Sequence, residues 1–510
     1  MSRSQVPLAQ RMPSGFSLVE AFTQLCDSPG CLWLDSSSPT RHLDPGSPPL
    51  GRYSFLTANP IQTIQVDLED ENPWPKLHEL YDSLPDNFAP ELPPFQGGIA
   101  GLWGYESAAW LEKVNSPSAD LLSIPALSVG LYDWTLATDH SEQTTWLICQ
   151  GEFHPDWNRR CELAEKRLEQ VLSILAPVMP TEFSELPDDQ PIDRLTNKIL
   201  AKVSRDRSQE DLERVTKDQE KAAAIATLHQ HPTRAGDIRS NFADGEFTKS
   251  VQEIIDLICK GETFQVNLAQ RLTVEANCST PELYLRLRKV NAAPFSVYYH
   301  QQDFQIASSS PEGFLQVRGR HVETRPIKGT VPRVGEQNVD RELAEHLIAS
   351  EKDRAENIMI VDLLRNDLSK ACEDDSVVVT KLCGLEIYEH VQHLVSVVQG
   401  TLRKDTSASK LLEVCFPGGS VTGAPKIEAM KTIARLEPNR RGAYCGSIGY
   451  LGLGSQADFN ILIRTVTASA GHWQFPVGGG ITARSEPEAE EAETWAKAEG
   501  MMRAVRRADR

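Results

Sequence analysis

Lys352-Asp353-Arg354-Ala355-Glu356-Asn357-Ile358-Met359-Ile360-Val361-Asp362-Leu363-Leu364-Arg365-Asn366-Asp367 contains no glycine or proline, and its apolar residues recur at steps of three and four. That period predicts a single helix. The chain around it reads differently. Thr144-Thr145-Trp146-Leu147-Ile148-Cys149, Phe295-Ser296-Val297-Tyr298-Tyr299, Val377-Val378-Val379 and Ser447-Ile448-Gly449-Tyr450-Leu451 are strand-like runs rich in β-branched and aromatic residues. Strands in both halves with helical periods between them predict an α+β protein.

A chain of 510 residues exceeds what one core normally supports, so two lobes or one large composite body is expected. Lys and Arg number 52 against 71 Asp and Glu, a net charge of −19, and no long basic block interrupts it. This argues against a nucleic-acid footprint. No apolar run is long enough to span a bilayer, and the N-terminus has no hydrophobic signal core, so a cytoplasmic location is expected. The ten cysteines lack paired metal spacing and read as reduced thiols.

Within the quoted helix Asp353 and Glu356 are three apart and share a face. A second acidic helix closes the chain: Ser485 and Glu488, with Pro487 between them, form an N-terminal capping signature. Beyond it Glu490, Glu493 and Lys497 share one face, and Trp495, Ala498, Met502 and Val505 another. Two such carboxylate pairs can hold one hard divalent cation and leave its other positions to water and ligand, the manner of magnesium; any single pair is more often a solvated helix face. Lys328 stands in Arg325-Pro326-Ile327-Lys328-Gly329-Thr330, where the proline and glycine predict a short turn that aims its amine. Gly419 to Lys426 imitates a phosphate loop, but Pro425 precedes the lysine and no Ser or Thr follows it, which rejects nucleotide binding.

Six segments resemble the chorismate-binding domain shared by anthranilate synthase and aminodeoxychorismate synthase component I. They are Gly261 to Gln270, Ser310-Pro311-Glu312, the lysine turn, the first acidic helix, Phe416-Pro417-Gly418-Gly419-Ser420-Val421-Thr422-Gly423-Ala424-Pro425-Lys426, and Gly478-Gly479-Gly480 leading into the last helix. They occur in family order from about Asn241 onward; Gly51-Arg52-Tyr53-Ser54-Phe55 and Gly97 to Tyr105 look like the family's N-terminal region. The resemblance implies two orthogonally packed, mainly antiparallel sheets flanked by helices. It divides the chain into an N-terminal anthranilate synthase component I-like region at 1–178, a polar linker or insertion at 179–236 and the chorismate-binding catalytic domain at 237–510.

Anthranilate synthases carry alanine where Lys328 stands, and the aminodeoxychorismate branch carries lysine as a covalent nucleophile, so the resemblance implies that branch and the 4-aminobenzoate and folate pathway. It implies that Glu312 is the general acid and that magnesium is held by Glu356 and Glu493, with Asp353 and Glu490 contributing directly or through water. Substrate contacts carried over are Arg464, Tyr450, His393, Lys497, Gln265, Thr330, Gly423, Gly478, Gly479 and Gly480, the glycines through loop amides. No cysteine lies in a glutaminase-type Gly-X-Cys-X-Gly setting, so ammonia is expected from a separate glutaminase subunit. Anthranilate synthase component I, isochorismate synthase and a noncatalytic chorismate- or tryptophan-binding regulator stand as alternatives; intact Glu312, Lys328, Glu356 and Glu493 argue against the last.

Overall fold

The computed structural model describes residues 6–37, 50–115, 117, 124–180, 230–388 and 391–506. Most of the expected linker, residues 181–229, lies outside them.

Two antiparallel sheets form the body. The first runs Leu8–Arg11, Thr144–Cys149, Trp134–Asp139, Tyr53–Thr57, Leu32–Asp35, Phe295–His300, Gln305–Ser310, Thr465–Ser469, His472–Ile481, Gln265–Glu275, Arg239–Ser240 and His231–Pro232. The second runs Ile327–Pro332, Val391–Thr401, His321–Thr324, Gly313–Arg318, Gln456–Asn460, Ser447–Gly452, Gly98–Trp103, Leu127–Tyr132 and Gln62–Val66, with Val378–Ile387 also paired to Val391–Thr401. Strands from before residue 178 and after residue 237 therefore share both sheets.

Alternation along each strand builds the layers. Val297 and Tyr299 join a core between the sheets with Leu32, Ala100, Leu102, Ile448 and Tyr450, whereas Tyr298 and Trp33 face outward into a second core. That outer core is closed by Leu18–Leu25, Trp157–Leu175, Thr280–Val290 and Pro487–Val505. A third core, with Trp103, Leu315, Val361 and Leu411, packs helices Trp74–Asp82, Glu351–Ser369, Ala408–Cys415 and Lys426–Leu436 on the other sheet. Both faces of each sheet are covered, so central strands such as Ser447–Gly452 and Gly98–Trp103 are buried along their whole length rather than on alternate residues.

The first acidic helix is Glu351–Ser369, close to its sequence prediction. It starts where Ser350 ends helix Gln337–Ala349 and caps the next, accepting from the Asp353 amide at 3.3 Å while its hydroxyl donates back to the Asp353 carboxylate. The last helix, Pro487–Val505, departs from the predicted cap. Glu486 holds the N-cap position with no side-chain bond, and Pro487 takes the first helical position, where its missing amide proton costs nothing. The Ser485 hydroxyl instead accepts from the Thr482 amide at 3.0 Å and donates to Glu490 at 2.6 Å.

Close strand packing depends on Gly101, which has φ +146°; a Cβ there would stand 2.4 Å from the Ser128 carbonyl oxygen. Gly101→Ala is therefore expected to destabilise the fold by about 2 kcal/mol or more. The melting temperature checks this, and an unchanged value would contradict the inter-strand geometry.

Candidate active site

Two of the corners where the chain passes from one sheet to the other carry a charged residue of interest. Between strands Gln305–Ser310 and Gly313–Arg318 lies Glu312, 6 % exposed. Between Gln456–Asn460 and Thr465–Ser469 lies Arg464, in the left-handed region at φ +51°. A non-glycine residue held there is strained, and such strain concentrates at functional sites. The Arg464 carbonyl accepts from the Ser309 amide at 3.1 Å, which pins the corner.

Lys328 lies in strand Ile327–Pro332 rather than in the short turn its neighbours predict. The register with Val391–Thr401 slips between Lys328 and Thr330, and Gly329 takes φ +78°. A bulge of this kind re-aims a side chain. A Cβ on Gly329 would meet Leu347 at 2.7 Å and Asp353 at 3.1 Å, so the glycine lets the helical hairpin close over the lysine strand. The Lys328 amine donates to the Ser420 carbonyl at 3.3 Å, and the Ser420 side chain lies beside the Glu312 carboxyl. Burial pushes the Glu312 carboxyl above its ordinary range; Lys328 and Ser420 oppose that shift and are outweighed.

The carboxylates of the two acidic helices face Lys328 from the other side. Burial also pushes the Glu356 carboxyl up, against the pull of Lys328 and Lys352 and reinforced by Asp353 and Glu490. Burial acts on Glu493 in the same direction, but Lys497, Lys352 and Lys328 overcome it and its carboxyl is lowered. Lys497 bridges Glu493 at 2.8 Å and the Gly478 carbonyl at 2.9 Å, while Lys352 reaches Glu490 at 3.3 Å. Gly479 lies under this group: a Cβ there would stand 3.3 Å from Glu490 and 3.7 Å from Glu493.

Among the described residues no three His, Cys, Asp or Glu side chains converge closely enough to bind a metal as placed. The donor chemistry nevertheless fits a hard cation, because Glu356 Oε1 is buried without a hydrogen-bond partner and the Glu490 and Glu493 carboxylates both lie over Gly479. Asp353 is committed elsewhere, to the Ser350 cap.

His393, on strand Val391–Thr401, shares a 2.8 Å hydrogen bond between Nδ1 and the Thr330 hydroxyl. Burial, then the neighbouring Arg464 cation, pushes its pKa down to about 4, so the ring is neutral at physiological pH. Burial lowers the Arg464 pKa as well, and no carboxylate pairs with its guanidinium among the described residues. A buried guanidinium fork without an internal acid suits a carboxylate ligand.

Other expected contacts are placed differently. Gly478, Gly479 and Gly480 are not in a loop but in strand His472–Ile481, paired with Ala269, Leu268 and Asn267. A Cβ at Gly478 would lie 2.5 Å from the Leu268 carbonyl oxygen, so strand packing itself demands glycine there, and at Gly480 it would displace the Gln265 side chain, whose Nε2 lies 2.1 Å away. Gln265 is 1 % exposed over Gly480 with its Oε1 unpartnered. Gly423 also pairs in the sheet, opposite Val266, at φ +143°. Tyr450 stands apart from the group: strand alternation turns it into the inter-sheet core, with ring centroids 4.7 Å from Phe95 and 5.6 Å from Phe55.

Ser420 and Lys352 belong to the site although no sequence signal marks either as a site residue. Ser420 lies in the quoted Phe416–Lys426 run and Lys352 opens the acidic helix, but their partners are far away in sequence. Lys426 is structural. It donates to Asp367 at 2.6 Å and to the Cys415 and Pro417 carbonyls at 3.0 Å each, tying the run to the acidic helix.

Glu312 makes a measurable demand on the fold. Its carboxyl is raised on folding, so the folded chain binds that proton more tightly than the unfolded chain. The contribution of Glu312 to stability is greatest below the ordinary glutamate range and is lost as pH rises through the shifted value. Glu312→Gln removes this loss, so in magnesium-free buffer it should melt higher than wild type near neutral pH. The difference should vanish below about pH 4; thermal denaturation against pH checks it.

The sequence profile of chorismate binding enzymes matches residues 30–503. Aminodeoxychorismate synthase component 1 of Salmonella typhimurium is 35 % identical over 463 residues, covering 88 % of each chain. Anthranilate synthase component 1 of Streptomyces coelicolor is 33 % identical over 514 residues, covering 99 % of this chain and 89 % of that one. The crystal structure of anthranilate synthase component I from Streptococcus pneumoniae superposes with a TM-score of 0.70 at 29 % identity, over 91 % of this chain and 94 % of the other. Matched over nearly its whole length, the chain belongs to the chorismate binding enzyme family.

Proposed function

We propose that this enzyme aminates chorismate at ring carbon 4, as component 1 of an aminodeoxychorismate synthase serving 4-aminobenzoate and folate synthesis. Overall identity separates the two branches poorly, at 35 % against 33 %. Lys328 carries the choice: it is an amine, where anthranilate synthases have alanine, linked through Ser420 to a carboxyl that burial keeps protonated to higher pH.

Arg464 takes a substrate carboxylate, with neutral His393 and Thr330 beside it, and Gln265, Gly423 and the Gly478–Gly480 strand with Lys497 line the cleft. Glu356 and Glu493 would hold magnesium, with Glu490 supporting them; when bound, magnesium draws electron density toward the ring carboxylate. Asp353 contributes through the helix cap it forms with Ser350.

The Lys328 amine bonds to ring carbon 2 as the diene shifts, and the carbon 4 hydroxyl departs as water with the Glu312 proton. The Glu312 carboxylate then takes the proton shed by the newly bonded Lys328 nitrogen. Ammonia bonds at carbon 4, the double bonds shift back, and the Lys328 amine leaves carbon 2 with a proton from Glu312; ammonia's surplus proton restores the balance. Two allylic displacements place nitrogen on carbon 4 and keep the enolpyruvyl group.

Ammonia comes from a separate glutaminase subunit, and the enzyme works in the cytoplasm, where its ten free cysteines stay reduced. The residues named all fall within 237–510, the chorismate-binding catalytic domain in this division; 1–178 is the N-terminal region completing both sheets, and 179–236 links them.

With chorismate, magnesium and ammonium, mass spectrometry should find 4-amino-4-deoxychorismate; anthranilate and pyruvate as main products would overturn the branch assignment. Lys328→Ala should lose about a thousandfold or more in that activity with its fold intact. A mutant near wild-type rate would reduce the lysine to a bystander. Glu356→Ala or Glu493→Ala should abolish magnesium-dependent turnover and weaken magnesium binding by calorimetry, and unaltered binding would contradict the two-helix site. Glutamine alone should support no turnover by the pure chain.

A further inference from the structure

The Ser420 carbonyl holds the Lys328 amine and its side chain lies beside Glu312, so whatever fixes the Phe416–Pro425 segment bears on the distance between the two reacting groups. Lys426 secures its start. The far side is secured by a guanidinium from outside the segment. Arg441 is 4 % exposed, donating to the Val421 carbonyl at 2.9 Å and to the Asn267 carbonyl at 2.8 Å. The same fork holds Glu437, from Nε at 2.9 Å and from Nη2 at 2.6 Å. Glu437 in turn accepts the Ala269 amide at 2.9 Å, so the pair is anchored on strand Gln265–Glu275. The backbone of Arg441 is itself tied down, because Glu106 accepts its amide at 2.7 Å and the Gly442 amide at 2.9 Å. The Tyr105 ring lies 4.7 Å from the guanidinium carbon, a cation–π contact that fixes its plane.

We propose that Arg441, held by Glu437, is a positioning residue for Lys328 and Glu312, acting through the Val421 carbonyl on the neighbouring Ser420; this rests on the amination centre proposed above. Removing one partner of a buried ion pair is strongly destabilising, yet Arg441 does more than balance charge. It spans two carbonyls from different elements with a planar fork, which a lysine ammonium cannot reproduce. The Lys328 to Ser420 hydrogen bond is long at 3.3 Å, so a small drift of the segment breaks it. None of the hydrogen bonds of the Arg441 guanidinium goes to Arg464, which takes the substrate carboxylate.

Arg441→Lys keeps the cation opposite Glu437 and loses the fork. With saturating ammonium, its kcat should fall about a hundredfold, the cost of roughly 1 Å of misplacement, while KM for chorismate stays within about threefold. Val171→Ala, in helix Trp157–Leu175 and outside the site, lowers the melting temperature and should leave kcat unchanged, which separates positioning from general loss of stability. Should Arg441→Lys fail to fold, Glu437→Gln decides: it keeps an acceptor for the fork, and its kcat should drop at unchanged KM. A folded Arg441→Lys with wild-type kcat, or a parallel fall in kcat with Val171→Ala, overturns the clamp. Product identity is read in the same assays. A wild type that makes anthranilate sinks the branch assignment, and the kcat comparison still judges the clamp.

Discussion

Three lysines stand among four carboxylates where the two sheets and the two acidic helices meet, and the site depends on that balance. Lys328, Lys352 and Lys497 act on Glu312, Glu356, Glu490 and Glu493. Glu312 and Glu490 are the buried members, and as anions they depend on the lysine charges beside them, whereas Lys352, Lys497 and Glu493 remain partly open to solvent. The balance is uneven, and the unevenness is chemically useful. Glu312 and Glu356 are raised by burial, whereas Glu493, closest to Lys497, is lowered. One carboxyl is thereby suited to give a proton and another to remain an anion, in the way environment sorts acid–base pairs elsewhere.

The sheets supply the geometry. Glu312 and Arg464 each sit at a corner where the chain leaves one sheet for the other, so each is fixed by strands on both sides. Helix Glu351–Ser369 covers the lysine strand and helix Pro487–Val505 covers the glycine strand, and each brings its own acids. The outer faces of these helices do no chemistry; Ala498, Met502 and Val505 are buried as ordinary core. Sites built on rigid elements in this way hold their groups more closely than loops do.

Local period and punctuation made much of this legible. The helix read over 352–367 spans Glu351–Ser369, and the run at 144–149 is a strand over those same residues. Partners distant in sequence are what local pattern could not show. The Lys328 turn is a bulged strand because Val391–Thr401, more than sixty residues away, pairs with it. Ser447–Leu451 is buried on both faces, so no polar alternation marked which way Tyr450 points, and it points into the core. Asp353 looked like a metal ligand beside Glu356, yet its position three residues after Ser350 makes it a cap partner. Ser420 and Lys352 lie inside segments the sequence marks and Arg441 in none, and the role of all three stays hidden because each acts on groups brought to it by the fold.

The central claim is that Lys328 bonds covalently to the ring before ammonia arrives. Incubating the enzyme with chorismate and magnesium without ammonium, quenching, and weighing the peptide that holds Lys328 tests it directly. The account predicts a mass increase equal to chorismate less one water on that residue, discharged when ammonium is added. An unmodified Lys328 in an enzyme that still makes aminodeoxychorismate at full rate would contradict it.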